Sequence, residues 1–138
     1  MTTRHYRFLI IGYVALGLTG AFVDYIFPAL LPQEFHEVQS AYDDSISSYR
    51  SLLILVLAII TVAFGIASTY GLYMLRTWAP KYAVVTTMLA LVTLPFGGVY
   101  TESGLATALN YAASYMWGAV VILPYIPPLN ALFQRDDG

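Results

Sequence analysis

The amino-acid sequence predicts an all-α integral membrane protein, with four transmembrane helices in an up-down antiparallel bundle and an amphipathic extracytoplasmic segment between helices 1 and 2. Three observations carry that expectation. Residues 8–31 form an almost unbroken apolar run, and about 20 such residues at 1.5 Å rise match a hydrocarbon core of roughly 30 Å. Only 10% of the residues are charged, against about 25% in soluble domains. Three more apolar runs follow, at 51–75, 82–100 and 105–126, separated by short turns. With 138 residues, the chain is expected to form a single four-span membrane domain.

The first span holds one ionisable residue, Asp24. A carboxylate costs about 2.5–3.5 kcal/mol at mid-bilayer, while each Leu, Ile, Phe or Val returns about 0.3–0.6. The run carries thirteen such residues, from Phe8 to Leu31, so insertion wins. At 100° per residue Asp24 shares a face with Tyr13, Gly17 and Gly20, a small and polar face expected to look into the protein rather than at lipid. An acid inside the membrane is a candidate proton relay or ion ligand. Its place beyond the middle of the run suits equally well a structural acid that is hydrated or bonded to a tyrosine hydroxyl. The displacement also separates the pattern from small four-span drug exporters, which carry an acid in the middle of their first span. Arg4 and Arg7 give the run a basic start, but it exceeds the usual 7–15 apolar residues of a signal peptide, so a retained anchor is expected.

Pro28 and Pro32 mark the end of this helix. In the outer segment 33–50, Phe35, Val38, Tyr42, Ile46 and Tyr49 fall within about 80° on a helical wheel. Glu34, Glu37 and Asp44 take the opposite face. The segment is therefore expected to be one amphipathic helix or two short ones, lying on the membrane surface or capping the bundle mouth. Asp43 or Asp44 could alternatively cap a helix that runs into the second span.

The second span carries a stripe of Ala58, Thr61, Gly65, Ser68 and Thr69, and the third repeats the device with Ala83, Thr86, Ala90 and Thr93. Small residues at this spacing let neighbouring backbones approach, which is how helices associate where lipid supplies no hydrophobic drive. Gly17, Gly20, Gly65, Ser68 and Gly118 are the expected packing positions. The turn at 76–81 is basic, with Trp78 and Tyr82 suited to the interfacial aromatic belt. Pro95-Phe-Gly-Gly98 either breaks the third helix or, as favoured here, ends it. Thr101 or Ser103 can cap the fourth span, in which Tyr111, Ala112, Tyr115, Gly118 and Ala119 share a face with Asn110 and Ser114 beside it. Sequence neighbours are expected to pack as antiparallel pairs, and the tail 134–138 beyond Pro127-Pro128 is expected to fray.

Charge sets the expected orientation. Arg4, Arg7, Arg76, Lys81 and Arg135 fall on one side with Asp136 and Asp137, a formal +3. Asp24, Glu34, Glu37, Asp43, Asp44 and Glu102 fall on the other with Arg50, a formal −5. Both termini are then cytoplasmic, in a bacterial inner (plasma) membrane.

No cysteine is present, which removes thiol nucleophiles, thiolate metal sites and disulfides. His5 and His36 lie outside the spans, so haem held between two intramembrane histidines is excluded within the chain. Glu34, His36 and Glu37 match no zinc spacing. Phosphate loops and basic aromatic patches are missing, which excludes nucleotide-driven pumping by this chain alone and nucleic acid as a partner. Neither a catalytic residue, a metal nor a cofactor is therefore expected. Of the twelve tyrosines, Tyr6 and six others lie near span ends, where a ring is buried and its hydroxyl wet. Tyr13, Tyr70, Tyr111 and Tyr115 are deeper, and Tyr13 joins Asp24 as an intramembrane candidate; if Tyr111 and Tyr115 face Asp24 across the bundle, the three form a candidate outer-leaflet polar cluster with Asn110 and Ser114. The expected function is that of a non-catalytic accessory or scaffold subunit, set in membrane lipid and packed against another integral membrane protein or copies of itself. The alternative is a small proton- or cation-coupled transporter or channel using Asp24 and the tyrosines.

Overall fold

The computed structural model describes residues 2–96 and 101–134, the side chain of Asp43 excepted. Five helices are present among them: α1 (Thr3–Ile26), α2 (Gln33–Ser45), α3 (Ser48–Tyr73), α4 (Ala79–Thr93) and α5 (Gly104–Ile122). Four helical stretches are long and apolar enough to cross a membrane, α4 together with the 3-10 turn Leu94–Phe96 and α5 together with the 3-10 turn Leu123–Tyr125. The molecule is an all-helical bundle without strands among the described residues.

Local chemistry explains the boundaries. α1 starts at Thr3 rather than Phe8 and stops at Ile26, because Pro28 cannot extend an α-helix and opens a 3-10 turn instead. The outer segment divides: α2 ends at Ser45, and the Ser47 hydroxyl accepts the Arg50 N–H as the N-cap of α3. That cap replaces the alternative of Asp43 or Asp44, both of which sit in the last turn of α2, and brings the start of the second membrane helix forward to Ser48. Pro80 falls inside the first turn of α4, where its missing N–H costs nothing. α4 ends at Thr93, and the chain enters a 3-10 turn through Pro95; Gly97 and Gly98 lie outside the described residues.

The α3–α4 turn uses a left-handed residue, Leu75, with φ of 57°. The Arg76 N–H reaches back to the Gly71 carbonyl at 2.9 Å and the Leu75 N–H to that of Leu72 at 3.1 Å, a Schellman end to α3. A Cβ in this conformation costs roughly 1 kcal/mol, offset by packing of the Leu75 side chain on the core. A Cβ at Gly71 would come within 2.6 Å of the Trp78 ring and 2.8 Å of Ala79 Cβ, so only glycine permits this turn.

The helices associate as two antiparallel pairs, α1 with α5 and α3 with α4, with narrow junctions between the pairs. The expectation that every sequence neighbour pairs therefore fails for α1, whose main partner is the last helix. α2 and the loops separate α1 from α3, whereas five residues join α3 to α4 tightly. Within the α3–α4 pair the small stripes face each other. The Thr61 and Thr93 hydroxyls lie 3.3 Å apart, as do those of Ser68 and Thr86, and a Cβ at Gly65 would rest 3.8 Å from Thr86.

The tightest packing lies at the Tyr6 end. Tyr6, Leu72, Ala79, Ala83 and Val120 are fully or almost fully buried with Leu129 and Phe133 of the C-terminal segment. After Pro127-Pro128, which are joined by a cis peptide bond, a 3-10 turn at Leu129–Leu132 carries the chain back over this end. Phe133 meets the Tyr6 ring edge-on at 5.8 Å. The Tyr6 hydroxyl, expected to be wet, donates instead to the Val120 carbonyl at 2.9 Å, because the returning segment covers it. Of the tail expected to fray, only Gln134 is described, and it is exposed.

Candidate functional site

The polar site grows from the far ends of α1 and α5. Ser103 adopts the extended conformation of an N-cap, and its hydroxyl accepts the Ala106 N–H at 3.2 Å. The same hydroxyl donates to Asp24 Oδ1, while the Ser103 N–H donates to Asp24 Oδ2 at 2.8 Å. Both oxygens of the carboxylate are thus engaged by one buried serine, at the helix end where the partial positive charge of the α5 macrodipole concentrates. Asp24 acts as a counter-charge that fixes where α5 begins relative to α1.

Three contacts extend this tie. Asn110 Nδ2 donates to Glu102 Oε2 at 2.8 Å. The Asn110 side-chain oxygen occupies the space that a Cβ on Gly20 would need, and Leu109 Cβ would lie 3.2 Å from that position. Gly20 is therefore the residue that lets α1 and α5 approach. Thr101 donates to Gln39 of α2 at 3.4 Å, linking the outer helix to the same turn. Glu34, Glu37 and Asp44 stand exposed on α2, whose Phe35 and Val38 are also exposed.

A second polar group joins the two helix pairs deeper in the bundle. The Tyr13 ring of α1 lies 4.9 Å from that of Trp117 on α5. Trp117 Nε1 donates to the Thr87 hydroxyl of α4 at 3.0 Å, and Thr87 in turn donates to the Ala83 carbonyl. α1, α5 and α4 thus meet through one chain of polar and aromatic contacts. Nearer the Tyr6 end, Arg7 Nε donates to the Tyr73 carbonyl at 3.1 Å and its guanidinium lies over the Tyr73 ring at 5.0 Å.

The candidate cluster is consequently dispersed. Asp24 and Asn110 belong to the Ser103 and Glu102 contacts, and Tyr13 to the deeper group. Tyr111 and Tyr115 do not face Asp24 at all: they stand 63% and 79% exposed on the outside of α5. The reason is rotational, since Ala106, Ala113 and Val120 form the buried face of this helix and the two tyrosines fall about 180° away at 100° per residue. Ser114 is exposed as well and returns its hydroxyl to the Asn110 carbonyl. Among the expected packing positions, Gly20 and Ser68 are buried and Gly17 would place a Cβ 3.8 Å from Ala113. Gly118 packs against nothing, for a Cβ there would have no neighbour within 4 Å.

Sequence reasoning missed Tyr6 and Trp117 as organising residues, and it found Ser103 as a cap of α5 but not as the partner of Asp24. A signal for the first existed in the apolar Leu129, Leu132 and Phe133 after the two prolines, which need a surface to cover. Chemically, the site holds a charge on a helix end and orders a turn. No three His, Asp or Glu side chains converge as metal ligands among the described residues. Compared with protein-family models, curated proteins and solved structures, the chain matches none.

Proposed function

We propose that this chain is a non-catalytic membrane subunit whose packing is completed by another membrane-embedded chain, be it a larger partner or copies of itself. One observation carries the reading: the most apolar stretch of α3 is only 6% buried within the chain, against 22% for the span Ala79–Phe96. The cause is length. At 1.5 Å per residue α3 runs about 39 Å and α4 about 22 Å, so the first turns of α3, with Leu52, Leu55, Val56 and Ile59 exposed, outrun their partner among the described residues. The two helix pairs are joined at the Tyr6 core and through Trp117 and Arg7, which leaves the first turns of α3 without cover from the described residues of the chain. Basic residues at the Tyr6 end and acids at the Asp24 end favour cytoplasmic termini.

Proton-coupled transport has less support, because the Asp24 carboxylate is occupied by Ser103 and the tyrosines point away from it. The test is affinity purification of the tagged chain from its native membrane in mild detergent, with mass spectrometry and stoichiometry of what accompanies it. A stoichiometric partner or a defined self-oligomer is expected. A monodisperse monomer travelling alone would overturn the reading.

A further inference from the structure

The outward stripe of α5 combines two features that do not belong together at a lipid surface. Ala108, Tyr111, Tyr115, Gly118 and Ile122 fall within about 80° on the wheel, directly opposite the face that packs on α1. Tyr115 is the twelfth residue of the 22-residue span Gly104–Tyr125, so it sits about 16 Å from either end, too deep for its hydroxyl to reach a headgroup. Neither the Tyr111 nor the Tyr115 hydroxyl has a hydrogen-bond partner among the described residues, although phenols lose heavily when left unpaired in hydrocarbon. Beside them Gly118 leaves an open hollow.

We infer that this stripe is the contact between two copies of the chain, packed α5 against α5 about a twofold axis along the membrane normal. The inference rests on the subunit reading above and adds to the exposed α3 face a second surface, on α5, at which copies of the chain meet. Copies insert in one orientation, so a twofold of this kind sets the stripe against itself at the same depth. Each phenol, able to donate and accept, then meets the phenols of the other copy, and the open space at Gly118 lets the two helices approach. An unrelated helix would have to bring polar groups to that same depth.

The absence of cysteine from the chain makes the test direct. Gly118→Cys, a site with room for the side chain, and Ile66→Cys, on the exposed face of α3, are oxidised separately as full-length protein in native membranes. Gly118→Cys is expected to give a disulfide-linked species of twice the chain mass, and Ile66→Cys little of it. Adding Tyr111→Phe and Tyr115→Phe to Gly118→Cys, which removes two oxygen atoms, should lower that yield roughly tenfold while the circular dichroism melting curve stays in place. Equal yields at positions 66 and 118, or a yield indifferent to the two phenol oxygens, would overturn the inference. So would linkage of Gly118→Cys only to a different chain, an outcome that leaves the subunit reading standing; a lone monomer in affinity purification would instead remove both.

Discussion

At the Tyr6 end the bundle is held by interlocked side chains, and at the Asp24 end by hydrogen bonds to one turn. The first relies on volume: a buried aromatic, the returning Leu129 and Phe133, and the close turn at Gly71 fill the space between all four membrane helices. The second relies on direction: Asp24 grips the N-terminus of α5 through Ser103, and Asn110 fits over Gly20, while α3 reaches past its neighbour among the described residues. In lipid, where apolar burial alone gives no drive to associate, close packing and internal hydrogen bonds are the two remaining means. Side-chain packing predominates at the Tyr6 end and hydrogen bonding at the Asp24 end, and the difference predicts that the Tyr6 end is the more rigid of the two.

The comparison can be broken first at Tyr6. Tyr6→Ala is expected to cost about 3 kcal/mol, through the cavity it leaves under Phe133, and Tyr6→Phe about 1 kcal/mol for the bond to Val120. Both are read from detergent-solubilised protein as the shift in the denaturant midpoint. If Tyr6→Ala costs less than any change at Asp24, the ranking of the ends is wrong. Next, Gly20→Leu should cost about 2 kcal/mol by overpacking, since Asn110 and Leu109 leave no space. Spin labels on α1 and α5 should then report separation at the Asp24 end and an unchanged distance at the Tyr6 end.

The tie itself is tested by Asp24→Ala, expected to destabilise by about 1.5 kcal/mol because the Ser103 N–H loses its acceptor. Asp24→Asn, which keeps one acceptor oxygen, should cost less. A double-mutant cycle with Ser103→Ala should return a coupling near 1 kcal/mol, and additive effects would mean that the two residues do not act as a unit. The smallest effect is expected at Ser47→Ala. Loss of this exposed cap should cost about 0.5–1 kcal/mol and appear chiefly as faster amide exchange in the first turn of α3, with the Tyr6 end unaffected.

How much of this was legible in the chain varies with the range of the interaction. Four membrane helices followed from run length and charge scarcity, and the end of α1 at Pro28 and the availability of Ser103 as a cap followed from backbone chemistry. The stripes of Thr61, Ser68, Thr86 and Thr93 could be read as helix faces, and the short α3–α4 turn brings them together. The polar cluster around Asp24 was not legible. Polarity inside a membrane helix favours an inward face for its tyrosines, but nothing local fixes the rotation of α5. Small Ala106, Ala113 and Val120 took the inward position instead, allowing the approach at Gly20 that tyrosines would have blocked.

The sequence by itself determined the membrane class, the number of spans, the helix-ending prolines and the lack of cysteine chemistry, because each depends on composition or on one residue's backbone. Only the tertiary structure decided that the first helix pairs with the last, that Asp24 serves Ser103, that Tyr6 is covered by the returning C-terminal segment, and that Tyr111 and Tyr115 face outward. Those outcomes depend on which surfaces fit when residues far apart in the chain meet. Periodicity specifies a face for each helix but not the face that meets it.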